Sequence, residues 1–135
     1  MKTKVFTKVV LLVFLPLFIG LLIYLFYRPQ IWLTAQLNLH PVSYAEIEKY
    51  SLLKKWIIFS GPDLCWAYSL ASAIFILNHL FKFSSHSIVF IIVLIAVAAS
   101  ELIQLFLKLS FTFSFSDLIT VVAACCLSAY LNKRL

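Results

Sequence analysis

Charge is what this sequence has least of. Only 12% of its 135 residues are Asp, Glu, Lys or Arg, whereas a typical soluble domain carries about a quarter. Hydrophobic residues make up 64%, and the mean hydropathy is +1.05. One small core cannot absorb that much apolar surface, so lipid must solvate much of it. Cysteine is also scarce. Cys65, Cys125 and Cys126 lie in apolar segments, and an odd count with two adjacent members excludes a disulfide framework. Small packing residues are the simplest reading of them. The two glycines form no phosphate loop, and no nucleophile elbow is present. His79 and His86 fall on one side of the expected membrane and His40 on the other, so no metal site or cofactor is expected.

What is present is a set of long apolar runs with polar ends. The formal charge of +6 could suggest nucleic acid, but Lys and Arg flank the apolar runs as membrane anchors and form no basic stripe. The run from Val9 to Tyr27 follows a basic start and is long enough to span. No small-x-small cleavage site follows it, so it reads as an uncleaved first helix, bent or thinned by Pro16 and Gly20. "SYAEIEKYSLLKKW" begins with Ser43 and Glu46 at capping-box spacing. Ile47, Tyr50, Leu53 and Ile57 then recur every three or four residues, as in an amphipathic helix lying on the membrane surface. "SGPD" opens the next helix, with Pro62 and Asp63 suited to a first turn.

These signals predict an all-α integral membrane protein forming a single domain over residues 1–135. It has four transmembrane helices, at about 9–27, 64–80, 87–107 and 113–131, with a short interfacial amphipathic helix inside a polar outer loop, 28–62. Lys2, Lys4, Lys8, Lys82, Lys133 and Arg134 then lie on the cytoplasmic side with both termini. Arg28, Lys49, Lys54, Lys55 and Lys108 lie outside, and the basic N-terminus sets the direction. Trp32, Trp56 and Trp66 all fall near the outer boundary, as an aromatic belt requires.

All five acids share that outer face. Glu46 and Glu48 lie in the loop, and Asp63 and Asp117 start helices. Glu101 sits about 9 Å from the outer end of the third helix at 1.5 Å per residue. Glu101, Gln104 and Lys108 follow one stripe of that helix. A carboxylate in hydrocarbon costs several kcal/mol unless paired, neutralised or hydrated, so Glu101 should face the bundle or a wet cavity. Asp63 and Asp117 can ring the mouth of the same cavity, or serve only as helix caps. Small residues, among them Ala67, Ala71, Ser72, Ala124 and Ser128, let the helices pack closely beside it.

A buried E-x-x-Q followed by an Asp that opens the last helix resembles the VanZ-like family of small bacterial membrane proteins. The matching segments are "SELIQLF", with Glu101 and Gln104, and "FTFSFSDLI", with Asp117. "SGPDLCWAYSLASA" is similar to the P-D-x-x-W-A-Y-S-L segment of short relatives and adds Asp63, Trp66 and Tyr68. Many members carry an Arg before the last Asp; here Lys108 could supply that charge as a point charge only. The resemblance implies a cell-envelope protein of the bacterial inner membrane, linked to glycopeptide-antibiotic tolerance, without accepted catalytic residues. The expected partners are membrane lipids, an envelope glycolipid or a membrane protein, with homo-oligomerisation open and nucleic acid excluded. The expected function is binding of a headgroup, glycolipid or partner through Asp63, Trp66, Tyr68, Glu101, Gln104, Lys108 and Asp117. Two alternatives stay open. One is an intramembrane enzyme acting on a lipid-linked substrate, with Glu101 as general acid or base; the other is a small proton- or cation-coupled transporter subunit.

Overall fold

The computed structural model describes residues 2–27, 36, 43–82, 85–107 and 115–132, and among these every regular element is helical. α1 (Lys2–Val9) passes through a π-helical turn, Val10–Phe14, into α2 (Leu15–Tyr27). Then come the short α3 (Tyr44–Ile47), the long α4 (Leu52–Phe81), α5 (His86–Leu107) and α6 (Phe115–Asn132). Two helices are long and apolar enough to cross a membrane, Val5–Tyr27 and Leu52–Phe81; His86–Ala99 and Ser116–Asn132 are shorter apolar stretches.

The π turn has a local cause. Pro16 brings no N–H to the Leu12 carbonyl and would press its ring against it. The Leu15 N–H instead reaches back to the Val10 carbonyl, widening the turn just before the proline. Pro16 therefore loosens this helix without ending it.

The second long helix departs from expectation. It begins at Leu52, not near Leu64, and Pro62 and Asp63 lie in its interior. Ser51 supplies the start: its backbone is extended (φ −62°, ψ 155°), and its Oγ accepts from the Lys54 N–H at 3.4 Å. The helix passes through Pro62 because the preceding residue is Gly61, which has no Cβ to clash with the proline ring. The amphipathic surface helix expected from Ser43 onward is correspondingly divided. The reciprocal capping bonds do form, Glu46 N–H to Ser43 Oγ at 3.4 Å and Ser43 N–H to Glu46 Oε2 at 3.3 Å. They hold only the single turn of α3, and the rest of the predicted surface helix has become the start of α4.

Side-chain contacts fix the helix directions. Ser60 meets Asp117 and Ser72 meets Ser128, so α4 and α6 run parallel. Phe75 stacks on His86, with ring centroids 4.7 Å apart, so α5 returns antiparallel to α4. Gly20 lies against Pro62 and Cys65, while Ile23 lies near Gly61, so α2 is also antiparallel to α4. α4 is thus the central strut, packed chiefly on α6 and α2.

Large apolar side chains are not confined to the core. Val89, Val93 and Val97 point inward from α5, while Ile88, Ile91, Ile92 and Ile95 point outward. The interior between α4 and α6 is built from Ala67, Ala71, Val121, Ala124 and Cys125, with Ser60, Ser72, Thr120, Ser128 and Asn132 buried among them. Small residues and hydroxyls inside, with large aliphatics outside, is how helices pack where the solvent is itself apolar.

Gly20 sets the closest approach of α2. A Cβ added there would stand 2.8 Å from Cys65 Cβ and 3.4 Å from the Pro62 carbonyl oxygen, neither of them the end of a flexible chain. Gly20→Ala should therefore lower stability by about 1–3 kcal/mol through overpacking. The opposite sign is expected at Lys82, which closes α4 in the left-handed conformation (φ 52°, ψ 42°). Lys82→Gly should raise stability by about 1 kcal/mol. Reversible unfolding of both variants in bicelles, followed by circular dichroism, checks the two directions together.

Candidate functional site

The seam between α4 and α6 carries two polar layers. In the upper one, Ser60 Oγ donates to Asp117 Oδ1 at 2.8 Å. Ser60 is buried and Asp117 half-buried. Asp117 stands in the first turn of α6, where the positive end of the helix dipole favours a carboxylate. Thr120, one turn below, is buried and returns its hydroxyl to the Ser116 carbonyl at 2.8 Å. Asp63 is half-buried on α4, one turn beyond Ser60 and on an adjoining face.

The lower layer is a chain of three side chains. Ser72 Oγ and Ser128 Oγ lie 2.9 Å apart and share a hydrogen bond. Asn132 Nδ2 donates to the Ser128 carbonyl at 2.9 Å and to Ser128 Oγ at 3.3 Å. Asn132 is 5% exposed, and its Oδ1 is buried with no partner among the described residues. Between the layers, Ser69 is buried and bonds the Cys65 carbonyl at 2.7 Å, so it serves its own helix.

The residues expected to form a pocket are distributed unequally. Asp117 joins α4 through Ser60, and Asp63 occupies the same stretch of α4, inside the helix where a cap had been expected. Glu101 and Gln104 belong to α5, but their side chains lie outside the described residues, as does Lys108 altogether. Glu101 lies toward the end of α5 remote from the His86–Phe75 contact, and Ser60 lies toward the end of α4 remote from that same contact. Trp66 and Tyr68 separate: Trp66 is 54% exposed on the outer face of α4, and Tyr68, at 7%, belongs to the core.

Ser60, Thr120 and Asn132 are the polar residues that site reasoning from the sequence passed over. Ser60 looked like part of a loop because Pro62 looked like a helix start. Asn132 looked like the polar end of a helix. The signal that could have found it was spacing: Asp117, Thr120, Ala124, Ser128 and Asn132 recur every three or four residues on one stripe.

Among the described residues no three His, Cys, Asp or Glu side chains converge as a metal site would need. What the upper layer offers is a carboxylate with one oxygen engaged by Ser60, at a helix seam. An ionised carboxylate only accepts hydrogen bonds, so the complementary groups are an ammonium or several hydroxyls. No family model, curated protein or solved structure matches this chain.

The lower layer should behave as helix glue. In a double-mutant cycle, Ser72→Ala and Ser128→Ala should show a coupling of about 0.6 kcal/mol, the usual size for a hydrogen bond between membrane helices. Unfolding midpoints of the two single variants and the double variant measure it, and strict additivity would remove the bond from the account.

Proposed function

We propose that this chain is a four-span, VanZ-like protein of the bacterial inner membrane with cytoplasmic termini. Its polar seam binds the headgroup of a lipid or glycolipid near the non-cytoplasmic face. The observation that carries the reading is Asp117, a half-buried carboxylate held by Ser60 in a bundle whose outer surface is apolar. A carboxylate at that position costs free energy in an apolar surround, and among the described residues Ser60 engages one of its oxygens. A ligand that donates hydrogen bonds would recover the rest. The spacing of Glu101 and Gln104 on one stripe of α5 supports the same ligand chemistry. So does the resemblance of "SELIQLF" and "FTFSFSDLI" to the VanZ-like pattern, with glycopeptide-antibiotic tolerance as the phenotype to examine. A headgroup presenting an amine or sugar hydroxyls fits an acidic rim better than a bare phosphate does.

The test separates charge from packing. Asp117→Asn keeps an acceptor for the Ser60 hydroxyl and removes only the charge, so the bundle should stay folded. Phosphatidylethanolamine or a glucosyl diacylglycerol, titrated into the purified protein, should raise the unfolding temperature of the parent chain. Asp117→Asn and Glu101→Ala should each weaken that binding about tenfold or more, since a hydrogen bond to a charged group contributes about 1.5–3 kcal/mol. Equal stabilisation of parent and both variants by the two lipids would refute the site.

A further inference from the structure

α4 is longer than the bundle it supports. Ser60 is level with Asp117, the third residue of α6, so Leu52–Ile57 run on past the start of that helix at Phe115. At 30 residues α4 is about 45 Å long, against a hydrocarbon thickness of about 30 Å. The excess of about 15 Å is enough to hold the whole overhang from Leu52 to Ile57.

This overhang is apolar on its outside. Leu52 is 85% exposed and Leu53 69%, and Trp56 and Ile57 are exposed beside them; Ile58, level with the start of α6, is the first residue to be buried. Such a surface is costly in water. Cations border it: Lys49 and Lys54 are exposed and Lys55 is half-buried. The Lys54 ammonium sits over the Tyr50 ring, 3.5 Å from its centroid, as a cation–π pair does. Lys54 and Lys55 also stand in the first turn of α4, where the dipole disfavours cations and no acid offsets them. Of the nearby acids, Glu46 is turned back onto the Ser43 N–H.

We propose that the first two turns of α4 dock in the headgroup layer of an anionic leaflet. Leu52, Leu53 and Trp56 sit at the level of the glycerol and upper acyl chains, and Lys49, Lys54 and Lys55 lie against lipid phosphates. Charge complementarity selects this occupant: a lysine border around an aromatic and aliphatic face matches an anionic interface. The surface is separate from the Asp117 seam and does not depend on what binds there.

The experiment uses the full chain carrying Trp32→Phe and Trp66→Phe, so that Trp56 alone fluoresces. It is reconstituted in phosphatidylcholine vesicles with and without phosphatidylglycerol, and bromine is placed near the headgroup of one lipid or the other. At equal bulk fraction, brominated phosphatidylglycerol should quench Trp56 more than brominated phosphatidylcholine. Lys54→Gln and Lys55→Gln should each lower that preference about two- to fivefold, and high salt should lower it in the unmutated segment. Lys54 is exposed and Lys55 only half-buried, so circular dichroism should show the helical bundle intact in both variants. Equal quenching by the two lipids overturns the proposal. Quenching by aqueous iodide in place of lipid bromine also overturns it, and shielding from both would assign the face to a protein partner.

Discussion

The architecture depends on how closely α4 can approach its neighbours. On the α6 side the approach is made by Ala67, Ala71, Ala124 and Cys125, whose short side chains let the helices meet along their length. On the α2 side Gly20 is set against Cys65 and the Pro62 carbonyl, and Ile23 faces Gly61. Helices this close bring hydroxyls within bonding distance, so the Ser72–Ser128 and Ser60–Asp117 bonds follow from the small residues around them. In an apolar solvent there is no hydrophobic gain from hiding one aliphatic chain behind another. Dispersion at short range and a few hydrogen bonds must then hold the helices together, and both require small side chains at the seams.

The same constraint explains the outward isoleucines of α5. Ile88, Ile91, Ile92 and Ile95 are larger than the inward Val89, Val93 and Val97. A soluble helix would spend its largest aliphatics on the core. Here the inner face takes the smaller branched residue, which lets α5 lie nearer its partners, and the larger ones face the surroundings. Phe75 is an exception that has a use: it stacks on His86 and ties the end of α4 to the beginning of α5 across the Lys82 turn.

Helix number and order were legible in the sequence because apolar runs bounded by lysines, Pro and Asn carry that information directly. The capping bonds between Ser43 and Glu46 were legible too, since they depend on spacing alone. The start of α4 was not. Pro62 is an ordinary first-turn residue, and only the tertiary setting lets a helix continue through it: Gly61 before it, Ser51 capping eleven residues upstream, and α2 packed alongside. Asp117 was legible as a polar residue at a helix start, but its partner was not. Ser60 and Asp117 are 57 residues apart, and that pairing follows only from α4 and α6 being parallel. Trp66 and Tyr68, two apart in a helix, were grouped by motif but point to different faces, as a 3.6-residue period requires.

The features around Ser60 depend on one another. Pro62 leaves the Ile58 carbonyl without its helical N–H donor, which weakens α4 within one turn of Ser60. Gly61 permits the helix to continue there, and Gly20 brings α2 against that same turn, so the weakened segment is clamped on one side by backbone. On the other side it is held by the Ser60–Asp117 bond to α6. A polar group bound at this level would therefore act on the point where α4 has lost a backbone hydrogen bond. It would also act where α4 leaves the shelter of α6 and its exposed first two turns begin.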